Sequence, residues 1–347
     1  MPAHVPDAGV RVHLSPSTRG APDSLRTLVS SVLSQAQETD VASQQICERR
    51  VVDELAATGR GRRPAVRAFV EDDYLYEDSP VAAQEVWEPF GEREEHRQCL
   101  VAMLRAGIRV RTDHTSDGLQ HVNMIIVRGP SPRALLTSAN LAPQSLSRHF
   151  NWALELTEEA TVSALARVFR QAWRSGFRSA ELDHTQMSGE QEVLRVVVGG
   201  AGQAAALTAE AIDAATASLR FACFNIAKDA EVTGALVRAA ARGVAVEGVV
   251  DGDQYGQGWD GVAVLRQAGV SVRYYPGARS GAIGRMHYKV FVVDGQDVVL
   301  TTANASTASG GSFEAAVRLY GPAGAQGPAQ LVETEVSRLL RGAPVPG

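Results

Sequence analysis

The 347-residue chain is 45% hydrophobic, which is enough apolar content for two ordinary domains or one large duplicated domain. Its net charge of -5 argues against a surface coated with basic residues for sequence-independent binding of DNA. It has no apolar run of membrane-spanning length, and its N-terminal segment lacks the basic-then-apolar order of a secretory signal. We therefore expect a cytoplasmic protein without stable membrane insertion. The scattered cysteines Cys47, Cys99 and Cys223 predict neither a disulfide framework nor a zinc site.

Strands and helices are predicted to alternate along the first half of the chain. Between Ser34 and Tyr74, a short apolar strand precedes a helix around 48–57 and a strand over 65–74. Residues 100–111 then predict a helix, a glycine stop and a short strand.

The second half repeats this order of elements. The repeated segments are a strand over 218–226, a helix over 231–243, a strand over 244–255 and a helix-glycine-strand segment over 261–273. Helices that alternate with β-branched strands imply βαβ units. The sequence thus predicts an α/β fold with two pseudo-symmetric α-β-α sandwich halves, whose sheets are mixed and mostly parallel.

A polar stretch at Leu182–Gln191 is predicted to separate the two halves. It follows an amphipathic helix at Ser163–Ser175, whose Phe169 is expected in the core. We therefore expect an N-terminal half of residues 1–184 and a C-terminal half of residues 185–347.

A predicted β-hairpin gathers polar side chains in the second half. Asp294-Gly295 stands between two β-branched runs, which is the strongest short signal for a two-residue hairpin turn. With that turn His287 lies across from Thr302, and the alternation of side chains along a strand brings four polar residues to one face. These are His287, Lys289, Thr302 and Asn304. Asp294 has the opposite parity, so we assign it to the turn, where it supports the site without touching substrate.

This face is suited to hold a tetrahedral phosphate. Lys289 would neutralise its charge, Thr302 and Asn304 would donate hydrogen bonds, and His287 would attack phosphorus or protonate a leaving oxygen. Lysine is nearly absent from the 34 basic residues. We therefore expect Lys289 at a position where the broad, planar guanidinium group of arginine does not fit. Glu314 begins the next apolar run and is the candidate to accept the Nδ1 proton of the histidine.

The first half repeats this arrangement with substitutions. Its turn is two residues longer, which preserves parity, so four polar residues again share a face. These are His121, Asn123, Ser138 and Asn140, of which the last three are candidate phosphate ligands. Asn123 stands where Lys289 stands in the second half, and Asn151 stands near the place of Glu314. For Asn151 both a functional role and a surface role stay open.

The second copy of the pattern resembles the HKD motif of the phospholipase D superfamily, which is normally present twice. The matching segment is HYKVFVVDGQDVVLTTAN, residues 287–304, with Thr301-Thr302 in place of the usual Gly-Ser. The first copy, HVNMIIVRG with TSAN, is degenerate. Together with the repeated α/β plan, the resemblance extends over most of the chain, from Val10 to Arg341.

The resemblance implies a phosphohistidine mechanism without metal or other cofactor. One histidine attacks phosphorus, the histidine of the other half protonates the departing alcohol, and water or a second alcohol releases the product. We expect His287 to be the nucleophile, because it alone has lysine and glutamate support, and His121 to be the general acid. The reverse assignment stays open.

The expected activity is that of a phosphodiesterase, a hydrolase, or of a phosphatidyl or phosphoryl transferase. A nucleic-acid or nucleotide-like diester is the preferred substrate, and a phospholipid is the main alternative. A biosynthetic transferase for a small metabolite and a catalytically inactive binding module are further alternatives. His114, His149 and His184 have no counterpart in the other half, so we assign them structural roles.

Overall fold

The structure is a computed structural model, and it describes residues 3–5, 9–15, 24–58, 65–71, 92–113, 118–256, 258–276, 284–320 and 327–342. The predicted strand residues 72–74 and His114 lie outside these ranges. Among the described residues, no helix combines the length and the apolar character needed to cross a bilayer.

The first half alternates strands and helices as predicted. Its strands are β1 (Ala3–Val5), β2 (Val10–Ser15), β3 (Glu38–Ser43), β4 (Val66–Glu71), β5 (Arg109–Asp113), β6 (Asn123–Arg128), β7 (Arg133–Thr137) and β8 (Asn151–Leu156). Its helices are α1 (Ser24–Leu33), α2 (Arg49–Thr58), α3 (Glu92–Arg105), α4 (Pro143–Ser147) and α5 (Glu159–Ser175).

The second half has the same plan. Its strands are β9 (Glu181–Ser188), β10 (Gln191–Gly199), β11 (Ser218–Cys223), β12 (Ala245–Asp251), β13 (Ser271–Tyr275), β14 (Lys289–Val293), β15 (Asp297–Thr301) and β16 (Glu314–Leu319). Its helices are α6 (Gln203–Asp213), α7 (Glu231–Ala241), α8 (Val262–Gln267) and α9 (Pro328–Gly342). The glycine stops predicted after α3 and α8 are present, since Gly107 and Gly269 have φ of 80° and 83°.

Each half forms one mixed eight-stranded sheet, and the two sheets have equivalent strand orders. The first runs β1-β2-β8-β7-β6-β3-β4-β5, and the second runs β9-β10-β16-β15-β14-β11-β12-β13. The prediction of mostly parallel sheets is wrong. In each sheet only the two pairings made through the helical crossovers are parallel, whereas the other five described pairings are antiparallel. Hairpins and edge strands therefore outnumber the βαβ units.

The main hydrophobic core lies between the two sheets. Helix α5 packs on the inner side of the first sheet and reaches β9, while α9 packs on the second sheet and reaches β1 and β2. On α5, Leu165, Val168, Phe169 and Ala172 are buried in this core at the spacing of one helical face. Separate cores cover the outer faces, under α1 to α4 in the first half and under α6 to α8 in the second.

The polar stretch predicted to separate the two halves is a β-hairpin of the second sheet. Strand β9 pairs with β10 from Glu181↔Gly199 to Gln191↔Ser188, and its side chains are exposed or half-buried. An edge strand packed on few neighbours keeps a polar composition, and such a composition also occurs in segments between domains. The predicted boundary between residues 184 and 185 falls inside this strand, and we propose that the halves divide before Glu181.

The hairpin between β14 and β15 has a three-residue turn. Val293 pairs with Asp297, and Val290 pairs with Leu300, so the predicted register is wrong by one residue. The turn of the first half spans residues 128–132 against 294–296 in the second, so the predicted difference of two residues is confirmed. Because β14 begins at Lys289 and β15 ends at Thr301, His287 and Thr302 lie beyond the ladder, where strand parity does not place them.

Asp294 is confirmed as a turn residue. It has φ of 50°, and its carboxylate accepts hydrogen bonds from the backbone N–H groups of Thr216, Ala217 and Ser218 at 2.8 to 2.9 Å. Partial burial opposes its charge, but these hydrogen bonds outweigh burial and lower the pKa of Asp294 to about 2. These hydrogen bonds fix the start of β11, which lies away from the two histidines. Asp294 therefore supports the site only by positioning this strand.

Asp294→Asn removes the charge while keeping a residue that tolerates positive φ. Because the folded-state pKa is lowered, this carboxylate stabilises the fold above the unfolded value of about 3.9, and that contribution is lost as pH falls towards about 2. We expect the variant to lose about 1 to 2 kcal/mol of unfolding free energy at neutral pH. Urea unfolding should show the difference shrinking as the pH approaches about 2. Asp229→Asn, at an exposed carboxylate, is the control, and an equal loss in both variants would contradict the account.

Candidate active site

The segment before each histidine is held by the opposite half of the chain. The backbone N–H of His121 donates to the carbonyl oxygen of Phe313 at 3.0 Å, and the N–H of Phe313 donates to Leu119 at 2.8 Å. In the second half the N–H of Phe150 donates to the carbonyl oxygen of Arg285 at 2.9 Å. Each half therefore helps to position the histidine of the other.

Glycine is required where these segments cross. A Cβ atom on Gly118 would lie 2.0 Å from the carbonyl oxygen of Gly311, and one on Gly284 would lie 2.1 Å from that of Arg148. Both approaches are against backbone atoms, so any side chain here would push the two halves apart.

A buried carboxylate at the end of each central parallel strand also holds these segments. Glu71 accepts a hydrogen bond from the N–H of Gln120, and Asp251 accepts one from the N–H of Met286 at 2.8 Å. Burial raises the pKa of Asp251 to about 6, although this hydrogen bond and that from Asp253 favour the charged form. The residue just before each histidine is thus tied to the same strand position in both halves.

His121 is oriented by a carboxylate from the second half. Its Nδ1 lies 2.8 and 3.0 Å from the two carboxylate oxygens of Glu314. The hydroxyl of Thr302 donates to the same carboxylate at 2.6 Å and accepts from the backbone N–H of Ala315. A carboxylate at Nδ1 holds the proton there and leaves Nε2 as the free nitrogen.

The prediction that Glu314 supports His287 is wrong. Glu314 and His287 belong to the same half, but the carboxylate contacts the imidazole of the other half. The reason is the docking of the two halves, which brings the start of β16 against the segment that carries His121. Sequence spacing within one repeat contains no information about this exchange.

His287 is oriented by a neutral amide from the first half. Its Nδ1 lies 2.9 Å from Oδ1 of Asn151, which also accepts the hydroxyl proton of Ser138 at 2.8 Å. The amide nitrogen of Asn151 donates to the carbonyl oxygen of Ser145, which can only accept, so Oδ1 must face the histidine. Ser138 and Asn151 therefore occupy in the first half the places that Thr302 and Glu314 occupy in the second.

Lys289 lies fully buried beside His287. Its Nζ is 2.9 Å from Nε2 of His287 and 5.6 Å from the ring centre of Phe224. Burial lowers the pKa of Lys289 to about 7, although the nearby Glu314 and Cys223 oppose this. Burial, and then the charge of Lys289, hold the pKa of His287 well below its usual range.

Asn123, at the position equivalent to Lys289, is bonded into its own half. Its Oδ1 accepts a hydrogen bond from the hydroxyl of Ser43 at 2.7 Å and one from the N–H of Gln44 at 3.3 Å. The site thus has one ammonium group rather than two, and the predicted role of Asn123 as a phosphate ligand is not supported by these contacts.

A cavity of about 630 Å³ opens between the halves, and both histidines line it. Glu314, Asn140 and Asn304 line it as well. The Oδ1 atoms of both asparagines are buried and lack a hydrogen-bond partner in the described part of the chain. Among the described residues, no group of three or more His, Cys, Asp or Glu side chains is placed to hold a metal ion.

The two predicted hydroxyl ligands lie behind the histidines. Thr302 and Ser138 are buried, and their protons are directed to Glu314 and Asn151. They therefore position the groups that orient the imidazoles, which corrects the prediction that they donate to phosphate. Asn140 and Asn304 are the predicted ligands that face the cavity.

Comparison with known proteins agrees with this architecture. A family model described as "Cardiolipin synthase, PLD-like domain" matches residues 208–339. The phosphatidylserine synthase of Haemophilus influenzae Rd KW20 is similar over 100% of this chain and 89% of its own, at 13% identity and a TM-score of 0.69. Residues 208–339 are therefore identified as a phospholipase D-like domain. The matched residues include the complete motif of the phospholipase D superfamily, the segment from His287 to Asn304.

The phospholipase D fold is also shared with a longer enzyme. The polyphosphate kinase of Porphyromonas gingivalis is similar over 95% of this chain and 50% of its own, at 14% identity and a TM-score of 0.58. The chain therefore spans about half the length of that kinase. No curated protein matches the chain.

The cavity is also lined by residues that were not predicted from the sequence, and His149, Phe224 and Arg285 are among them. His149 was assigned a structural role because it has no counterpart, yet it lines the cavity with its ring centre 6.4 Å from that of His287. Burial lowers the pKa of His149 to about 4. His184, in contrast, hydrogen-bonds to Thr161, which fits its structural assignment. A site residue that has no counterpart in the other half cannot be found by comparing the two halves, and only the structure reveals it.

The neutral partner of His287 can be tested by Asn151→Asp, which places a carboxylate 2.9 Å from Nδ1 with almost no change in volume. An opposite charge at this distance stabilises the imidazolium, so the pKa of His287 should rise by about 1 to 3 pH units. An NMR pH titration of the histidine resonances measures this. The His184 resonance serves as the internal control, and an unchanged titration of His287 would contradict the assigned contact.

Proposed function

We propose that the chain cleaves or transfers phosphodiesters through a covalent phosphohistidine, with His121 as the nucleophile and His287 as the general acid and base. One observation carries the proposal. Two imidazoles face a single cavity, and one is backed by a carboxylate while the other is backed by a neutral amide.

The roles follow from the change of charge on each ring. An imidazole that attacks phosphorus becomes positively charged, and the carboxylate of Glu314 at Nδ1 of His121 stabilises that charge. A general acid must release its proton, and Asn151 offers no negative charge to hold the proton on His287. This assignment reverses the one expected from the sequence, which rested on Glu314 supporting His287.

In the first step Nε2 of His121 bonds to phosphorus, and the bond from phosphorus to the leaving oxygen breaks as that oxygen takes the proton from Nε2 of His287. In the second step water or an alcohol gives its proton to His287 and attacks phosphorus, and the bond to His121 breaks. The negative charge of a bound diester offsets that of Lys289, 2.9 Å from Nε2, and so favours the protonated form of His287 that the first step needs.

The lining of the cavity favours a polar diester, such as a nucleotide-like or nucleic-acid diester. Uncharged polar side chains dominate it, including Gln44, Gln45, Gln144, Asn140 and Asn304. The large apolar side chains that are exposed in the described ranges, Val101, Leu104, Met187, Tyr255, Trp259 and Val264, all lie outside the lining. A phospholipid substrate would favour an apolar rim, which this part of the chain lacks.

Phospholipid headgroup transfer is the second candidate. The observation that favours it is the match of residues 208–339 to the family model described as a cardiolipin synthase domain. The two candidates share the two-histidine chemistry and differ in the groups attached to phosphorus.

The nucleophile can be identified with bis(4-nitrophenyl) phosphate, whose leaving group departs without needing a proton. In His287→Ala the first step should proceed, while attack by water lacks its general base and slows about a hundredfold to ten-thousandfold. We expect a stoichiometric burst of 4-nitrophenolate and an aryl phosphoryl adduct on His121, located by mass spectrometry of an alkaline quench.

The control variants for this experiment are His121→Ala, which should form no adduct, and His184→Ala, which should turn over like the unmodified chain. An adduct on His287 in the unmodified chain, in His121→Ala or in His184→Ala would contradict the assignment. If no variant formed an adduct with any diester, the binding-module alternative would replace the enzymatic one.

The substrate class can be tested with a panel of diesters assayed in the presence of excess EDTA. We expect cleavage of single-stranded DNA, RNA or a dinucleotide to persist with the chelator, because the proposed steps use imidazoles alone. Release of ethanolamine or choline from phospholipid vesicles, without cleavage of the nucleotide substrates, would favour the second candidate. Loss of activity with EDTA, restored by a divalent cation, would contradict the metal-independent mechanism.

A further inference from the structure

The two ends of the cavity differ in charge although the scaffold is symmetric. The backbone bond from Phe150 to Arg285 repeats the bond from Phe313 to Leu119, so Arg285 and Leu119 occupy equivalent positions. The residues just before the two phenylalanines, His149 and Ser312, are equivalent in the same way. All four line the cavity, so the end that holds His287 carries Arg285 and His149 where the other end carries leucine and serine.

The guanidinium of Arg285 is a cation at the cavity with no partner among the described residues. Its residue is exposed, and no described residue forms a hydrogen bond or ion pair with its side chain. Its charge acts on the buried Asp251, but that carboxylate is occupied by the N–H groups of Met286 and Asp253. An unpaired arginine in a cavity is the side chain best suited to grip a phosphate or carboxylate through two parallel hydrogen bonds.

The imidazole of His149 is a second unused group at this end. Whereas the hydroxyl of Ser312 donates to the carbonyl oxygen of Ala308 and accepts from the N–H of Leu119, no described residue hydrogen-bonds to the ring of His149. Burial, and then the charges of Arg285 and Lys289, lower the pKa of His149 to about 4, so the ring is neutral at physiological pH. It offers one donor and one acceptor to whatever Arg285 binds.

We propose that Arg285 and His149 form an anion-binding subsite for a phosphate or carboxylate group carried by the leaving alcohol or by the acceptor. The inference rests on the proposed function. With His121 as the nucleophile, in-line displacement sends the leaving oxygen towards His287, and the acceptor later enters from the same side. The group attached to that oxygen therefore extends into the end of the cavity that these two residues line. The preferred substrate carries a second negative charge on its leaving group or acceptor.

The subsite can be tested by binding, because the substrate is not needed. Inorganic phosphate probes the anion position between the two catalytic histidines, while methylenediphosphonate and phosphonoacetate add a second phosphonate or a carboxylate. Isothermal titration of the full chain should give a Kd for at least one of these two probes about tenfold or more below that for phosphate. The tighter of the two probes identifies the anion that the subsite prefers.

Arg285→Gln should bring the Kd values of the three probes within about twofold of one another while leaving phosphate binding unchanged. The matched control is Arg148→Gln, which removes the same charge from an exposed arginine outside the lining and should keep the preference. Since Arg285 also acts on buried Asp251, thermal unfolding checks each variant. His149→Phe gives an independent test that keeps the arginine, and it should lower the preference severalfold.

The outcomes separate the inference from the proposed function. Failure of phosphate itself to bind would overturn the two-histidine anion pocket, and with it the proposed function. Binding of phosphate without a preference for either double anion in the unmodified chain would overturn only the subsite. An equal loss of preference in Arg285→Gln and Arg148→Gln would also overturn the subsite, because it would reveal a general effect of charge.

Discussion

The site depends on two contacts between the halves, in which each half supplies the side chain that orients the histidine of the other half. Glu314 of the second half holds Nδ1 of His121, and Asn151 of the first half holds Nδ1 of His287. Neither half contains a complete imidazole site, because each supplies the ring for one pair and the acceptor for the other. The buried carboxylates behind the histidine segments and the glycines at the crossing points serve this exchange, since they set how closely the halves approach.

A nearly symmetric scaffold thus carries an asymmetric pair of imidazole sites. The hydroxyl, the backbone bond and the acceptor recur at equivalent positions, yet the acceptor is charged in one half and neutral in the other. A single carboxylate is enough to distinguish two imidazoles in a buried site, because the stabilisation of a cation by an adjacent anion is strong where water is excluded. Lys289 adds a positive charge only beside His287, which strengthens the difference between the rings.

Much of the fold could be predicted because it rests on local patterns repeated in two halves. The helices around residues 48–57 and 231–243, and the strands that flank them, follow from apolar spacing and from glycine stops. The prediction failed where a local sequence pattern is compatible with more than one structure. The edge strand β9 has the composition of a linker, and the extra residue in the turn after Val293 shifts the hairpin register by one.

The sequence predicted which residues belong to the site, but it did not predict which of them contact one another. His121, His287, Asn140, Asn304 and Glu314 all line one cavity, as a repeat with matching polar positions indicates. Which acceptor faces which histidine depends on how the halves dock, and that arrangement is decided by contacts between residues more than a hundred positions apart. The side chains that break the repeat, such as Arg285, could not be found by comparing the halves.

In the proposed mechanism, the position of the carboxylate decides which histidine becomes phosphorylated. The double variant Glu314→Gln with Asn151→Asp moves that carboxylate from His121 to His287 with little change in volume. Mass spectrometry of the protein after reaction with bis(4-nitrophenyl) phosphate should find the phosphoryl adduct transferred from His121 to His287. An adduct that stays on His121 in a folded double variant would contradict the account.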